Sequence, residues 1–253
     1  MKHSFIDKYS HLNSIVHKLD PRIKLLITFL GIIIIVSEPP GNILPFAFYG
    51  VVVLILILLS RIPFGFILKR FLIISPFILM AALFFPVSLW LTKEEQIVNF
   101  QHPAFKVALS IFLKAGLSIL LLILLVSTDK FHNLLLGLRK LKMPKLIGVI
   151  AALMYRYIFI LSDEALKTKR AKESRTPGRL KVNKMKVFSN QMAMIFLRSW
   201  ERSKIIYHSM LSRGFNGEFP VRQKLAINSI DIMFFVLYLM IFLAIRLLIE
   251  PVI

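Results

Sequence analysis

Long apolar runs separated by short polar breaks dominate this chain, and their length is that of helices rather than strands. A crossing helix needs about 20 mostly apolar residues to span about 30 Å of hydrocarbon. Five runs approach that length: Ile23–Ser37, Leu44–Ser60, Phe71–Leu91, Val107–Ser127 and Ala226–Ile249. The first is opened by Asp20-Pro21, a good helix start because proline lacks the N–H that would go unpaired there. It is closed by Glu38-Pro39-Pro40-Gly41-Asn42, and the second ends at Arg61. The third carries no charge in its 21 residues, the fourth contains Lys114, and the fifth has Asp231 near its start and Arg246 near its end.

A sixth run, Leu146–Leu161, has 16 residues with Arg156 among them, enough for about 24 Å of helix. Charge arbitrates, because short loops rich in Lys and Arg stay in the cytoplasm. The N-terminal stretch (Lys2, Lys8, Lys18, Arg22, Lys24), the 61–70 loop (Arg61, Lys69, Arg70) and the basic stretch Lys130–Lys145 belong inside. The turns at 38–43 and 92–106, with only Lys93 and Lys106, belong outside. Residues 165–224 hold 15 basic against three acidic residues, a net charge of +12. A crossing at 146–161 would carry that segment outside, so the run is read as a helix that does not cross. The expected fold is an all-α polytopic membrane protein with about five crossings, six being the alternative, and a cytoplasmic block of long helices. The expected domains are 1–128 with the first four crossings, 129–224 as the cytoplasmic block, and 225–253 as the last crossing.

Composition agrees. Of the 253 residues, 57% are hydrophobic and only 18% charged, and the mean hydropathy is +0.73. A soluble domain is closer to 45–50% apolar and about 25% charged. No cleavable secretion signal is expected, since the first apolar run follows a basic polar stretch without small-residue cleavage chemistry.

Within the cytoplasmic block, Ser127-Thr128-Asp129 offers helix caps, and Phe131, Leu134, Leu135, Leu138 and Leu141 give Lys130–Lys142 one apolar face. That is an amphipathic helix suited to a membrane surface. After Pro144, Leu146 to about Arg175 reads as one long helix ended by Thr176-Pro177-Gly178. A second runs from Val187 to Arg213 and stops at Gly214, the residue favoured just past a helix end. Both helices therefore end in an arginine beside a helix-breaking turn. An exposed tip arginine can fork onto carboxylates or carbonyls in a partner's groove; the plainer role is to complement the helix dipole.

Several chemistries are excluded or unsupported. There is no cysteine, so disulfides, thiolate metal sites and cysteine nucleophiles are ruled out. His3, His11, His17, His102, His132 and His208 form no H-x-x-x-H or HExxH pair, and no metal or catalytic site is assigned. No GxxxxGK[ST] phosphate loop and no Gly-Lys dipeptide occurs, so ATP chemistry would have to come from another chain. No paired carboxylates or triad spacing points to an enzyme. Lys114 and Asp231 are charges at or near membrane depth, where such residues often mark function, so a self-contained ion transporter or channel is the alternative reading. The methionines read as packing residues, and the basic clusters fit anionic lipid heads better than nucleic acid, for which no separate soluble domain exists.

Three stretches carry a resemblance that spans almost the whole chain: DKYSHLNSIVHKLDPRIKLL at 7–26, YRYIFILSDEALKTKRAKESR at 155–175 and RSWERSKIIYHSMLSRGFNG at 198–217. They resemble the transmembrane (T) component of energy-coupling factor transporters, in the cobalt/nickel-type branch known as CbiQ. The resemblance implies a non-enzymatic, multi-pass subunit of a prokaryotic plasma membrane, N-terminus cytoplasmic and C-terminus outside, that binds no cofactor. ATP and Mg would be bound by two cytoplasmic P-loop ATPase subunits, and a membrane-embedded substrate-capture subunit would bind the cargo, cobalt or nickel. It also implies two ATPase-docking motifs of Ala/Ser-Arg-Gly type. By position these are Ser174-Arg175-Thr176, where threonine replaces the usual glycine, and Ser212-Arg213-Gly214, which is complete.

Overall fold

The computed structural model describes residues 12, 14–39, 43–91, 103–175, 184–217 and 228–249. These form nine α-helices: α1 (Ile15–Lys18), α2 (Pro21–Ser37), α3 (Leu44–Ser60), α4 (Phe64–Leu91), α5 (Pro103–Thr128), α6 (Phe131–Lys140), α7 (Lys145–Arg175), α8 (Lys184–Ser212) and α9 (Ser229–Ile249). No strand occurs among the described residues. The chain is an all-α, multi-pass membrane protein.

Helix boundaries follow local chemistry. The Asp20 carboxylate accepts the Arg22 N–H at 2.9 Å with Pro21 in the first turn, so α2 starts where the sequence predicts. Helix α3 closes on Arg61 in a left-handed conformation (φ 55°), its N–H bonded to the Leu58 carbonyl. The 61–70 stretch, read as a basic loop, is largely helix: α4 begins at Phe64, just after Pro63. Its basic residues are tolerated because Arg70 lays its guanidinium over the Phe66 ring, 4.4 Å from the centroid, a contact that favours a cation even near an apolar surface.

The described helices fall into two compact units, residues 2–141 with 225–253 and residues 142–224. In the first, α5 packs against α2, α3 and α4, while α9 packs against α2 and α3. Ile35, Tyr49, Leu121 and Phe242 are fully buried at its centre. Tyr49 and Tyr238 both stack on Phe242, with ring centroids 5.0 and 4.3 Å apart. Lipid is as apolar as leucine, so such a bundle is held by close packing and polar contacts rather than by burial from water. Two glycines permit that packing. Gly31 faces the Tyr238 hydroxyl, and Gly137 lets α6 lie on the start of α2, where a Cβ would stand 3.0 Å from Leu25 Cδ1 and 3.3 Å from the Pro21 carbonyl carbon. The face of α4 remote from this core is bare hydrocarbon, with Phe77 and Phe84 more than two-thirds exposed, as a lipid-facing surface requires.

Among the described residues, four helices are long and apolar enough to cross a membrane: Phe64–Phe84, Phe105–Thr128, Lys145–Ser174 and Ser229–Leu247. Helices α2 and α3, with 17 residues each, reach only roughly 25 Å. The run at 146–161 thus sits in a helix whose length and apolarity alone would permit a crossing.

In the second unit α7 packs on α8. Arg198 Nη1 meets Glu164 Oε1 at 2.8 Å between them.

Candidate functional site

The second arginine motif is built from the end of α8. Gly214 takes φ +79°, which a residue with a Cβ adopts only at a cost. That twist aims the Phe215 N–H at the Met210 carbonyl (3.0 Å) and the Gly214 N–H at the Leu211 carbonyl (2.9 Å). This pair of bonds is the Schellman closure of a helix. Ser212 turns its hydroxyl back onto the His208 carbonyl at 3.0 Å, so serine serves its own helix. Arg213 is left exposed on a rigid, closed tip. Among the described residues its guanidinium makes no ion pair.

At the first motif, Ser174 likewise donates to the Arg170 carbonyl at 3.1 Å, and Arg175 is the last residue of α7. The side chain of Arg175 and all of Thr176 lie outside the described residues. Each long helix of this unit therefore carries a back-bonded serine immediately before its arginine.

The membrane charges singled out by sequence are occupied by helix ends. Asp231 accepts the Asn228 N–H at 3.0 Å, the reciprocal half of a capping box at the start of α9. Lys114 Nζ, from the middle of α5, donates to the Val36 carbonyl at 3.1 Å and to the Glu38 carbonyl, tying down the last turn of α2. Beside it the Tyr49 hydroxyl donates to the buried Glu38 carboxylate at 2.6 Å. Among the described residues no group of three or more His, Asp or Glu could hold a metal ion.

Sequence reasoning missed one cluster. Lys24, counted there only as a topological charge, is buried and places Nζ 2.8 Å from Asp129 Oδ2 and 3.0 Å from the His17 carbonyl. Asp20 and Asp231 add their fields to the same ammonium. Burial pushes the Asp129 carboxyl above its ordinary value, although Lys24 and the Asn133 side chain both act against this. Each aspartate sits at a helix N-terminus: Asp20 caps α2, Asp129 precedes α6, and Asp231 lies in the first turn of α9. There the positive end of the helix dipole favours an anion.

A helical membrane bundle joined in sequence to a basic pair of long helices, each ending beside an arginine, defines a multi-pass membrane protein. The chain belongs to the CbiQ family of cobalt transport proteins, whose pattern matches residues 12–225. It is 28% identical to the energy-coupling factor transporter transmembrane protein EcfT of Bacillus subtilis over 86% of each chain. It is 29% identical to the EcfT of Streptococcus equi subsp. equi, over 84% of this chain and 83% of that one. An uncharacterized protein of Methanocaldococcus jannaschii is 25% identical over 91% of this chain and 82% of its own length. The resemblance to energy-coupling factor transmembrane components holds along most of the sequence.

Proposed function

We propose that this chain is the coupling subunit of an energy-coupling factor transporter. It passes ATP-driven motion from two cytoplasmic ATPase subunits to a membrane substrate-capture subunit, for uptake of a transition metal ion, cobalt or nickel. The observation that carries the reading is the end of α8: a Schellman-closed tip whose exposed Arg213 meets no acidic partner among the described residues. A rigid tip presents a planar five-donor fork without first having to be ordered, which suits insertion into a groove lined with carbonyls or carboxylates. Arg175 plays the same part for the second ATPase at the end of α7. ATP and Mg belong to those partners. The subunit sits in the plasma membrane with five crossings, its N-terminus and the 142–224 unit inside and its C-terminus outside.

A self-contained transporter would need membrane charges free to meet an ion. Lys114 and Asp231 instead satisfy the ends of α2 and α9, which weighs against that alternative.

The test is an affinity pull-down of the tagged chain from native membranes in mild detergent, with its partners identified by mass spectrometry. Recovery of P-loop ATPases and a small polytopic membrane protein is expected. Replacing both Arg175 and Arg213 with alanine should release the ATPases and abolish uptake while the chain still inserts. Normal transport by the double variant, or uptake by the purified chain alone in liposomes, would overturn the assignment.

A further inference from the structure

One buried ion pair in the bundle unit plays no part in the docking just described. Lys24 and Asp129 stand 105 residues apart in sequence, yet their charged atoms meet at 2.8 Å with both side chains more than nine-tenths buried. A buried ion pair is seldom the most stable way to fill such a space, because desolvating two charges offsets much of their attraction. What it supplies is a geometry that a sliding apolar contact lacks. Its placement in the chain is specific. Asp129 lies immediately before α6, the last helix before the 142–224 unit, and Asp231, acting on the same ammonium, lies in the first turn of α9, through which the chain returns to the bundle. Helix α6 is itself seated on the first turns of α2, Gly137 against Pro21 and Leu25. Lys24, near the start of α2, therefore bonds the departing segment directly, while the returning helix α9 packs on the same α2.

We propose that Lys24 is a positioning residue of the transport cycle: paired with Asp129, it fastens the segment that leads into the 142–224 unit onto α2, against which the returning helix α9 also packs. Movement of that unit is then passed to α2, α5 and α9 together instead of being absorbed as slack in the connections. This inference rests on the coupling role proposed above.

Three variants separate positioning from folding. Lys24→Met with Asp129→Leu replaces the ion pair by apolar side chains and leaves neither charge stranded. Lys24→Arg keeps the charge, and Lys24→Asp with Asp129→Lys reverses the pair. The first measurement needs no partner. Nitroxide labels at Leu138→Cys on α6 and Ser229→Cys on α9, placed in an otherwise cysteine-free chain, report the spacing of the two segments by pulsed electron resonance. A narrow distance distribution is expected in the native background and a clearly broader one in the Lys24→Met/Asp129→Leu background, with Lys24→Arg close to native. The second measurement uses the complete complex in liposomes. The apolar double variant is expected to recover ATPases in native amount and to hydrolyse ATP within about twofold of native, while uptake per ATP falls at least tenfold, a loss of about 1.4 kcal/mol of coupling. Partial return of uptake per ATP in the charge-reversed pair would support the contact itself. An unchanged distance distribution, or uptake and hydrolysis falling together in proportion to the complex recovered, would overturn the proposal. If the native chain binds no ATPase, the coupling role fails, whereas the label distances still judge the fastening by themselves.

Discussion

Replacing Gly31 with alanine tests whether the bundle is held by the closeness of α2 and α9. A Cβ at Gly31 would land on the Tyr238 hydroxyl, nearer than real Cβ atoms come, whereas the next atoms are ordinary or tight neighbours: Leu121 Cδ1 at 3.3 Å and Tyr238 Cζ at 3.4 Å. Tyr238 is 4% exposed and lies between Gly31 and Phe242, so its ring has little room to withdraw. Overpacking of this kind costs about 1–3 kcal/mol. The hydroxyl itself has no hydrogen-bond partner among the described residues in its buried position. Its removal in Tyr238→Phe should therefore be neutral or stabilising, because no bond is lost and one polar group no longer needs desolvation. With the oxygen gone, the alanine methyl fits, so the double variant should recover most of the loss, a coupling within the range of about 0.5–3 kcal/mol found for residues in contact. The assay is unfolding of the purified chain in mixed micelles, titrated with SDS and followed by circular dichroism. Gly31→Ala costing as much in the Tyr238→Phe background as in the native one would refute the reasoning.

Gly214→Ala forces a Cβ onto a left-handed residue at roughly 1–2 kcal/mol; because the site is an exposed helix end, ATPase recovery in the pull-down should fall roughly 5–30-fold with little change in global stability. Gly214→Asn should be milder. Lys114→Met strips a donor from the final carbonyls of α2 and should lower unfolding free energy by about 1–3 kcal/mol, yet uptake per assembled complex should persist; its loss in a folded variant would restore Lys114 as a transport residue. The Glu164–Arg198 pair is open to solvent, with side-chain exposures of 26% and 55%. Arg198→Ala should therefore change stability by less than about 1 kcal/mol, and a larger loss in the same titration would mean the pair matters more than its exposure allows.

Local signals carried most of the helix boundaries. Asp20-Pro21 marked the start of α2, the leucine spacing marked α6, and Gly214 marked the end of α8. Each depends on residues within a few positions of one another. The stretch with Arg61, Lys69 and Arg70 reads as a loop because it falls between two apolar runs and its charge marks the inner side; Arg70 on Phe66 shows how the first turns of α4 accommodate that charge within a helix. The Lys24–Asp129 contact was beyond reach, since periodicity says which face of a helix is apolar but not which distant residue a buried ammonium will meet. The same limit applies to Lys114, whose partners are backbone carbonyls, invisible in any residue pattern. At the end of α8 the sequence foresaw the helix stop at Gly214. It did not foresee that Ser212 and Ser174 would spend their hydroxyls on their own helices, a local competition that serine commonly wins within a helix.

The distance in sequence between Lys24 and Asp129 also sets an order of events during synthesis. At about 5–20 residues per second, the ribosome reaches Asp129 roughly 5–20 s after Lys24 has left the peptidyl transferase centre. Throughout that interval α2 has its ammonium but not the Asp129 counter-ion that follows α5, and at 17 residues it is a short segment to leave alone in a bilayer. Its lysine can meanwhile stretch toward the headgroups, so the nascent helix waits shallow at the interface and seats fully only when α5 arrives. A stall or truncation before Asp129 should accordingly leave α2 extractable by alkaline carbonate, whereas a nascent chain extended through α6 should resist extraction.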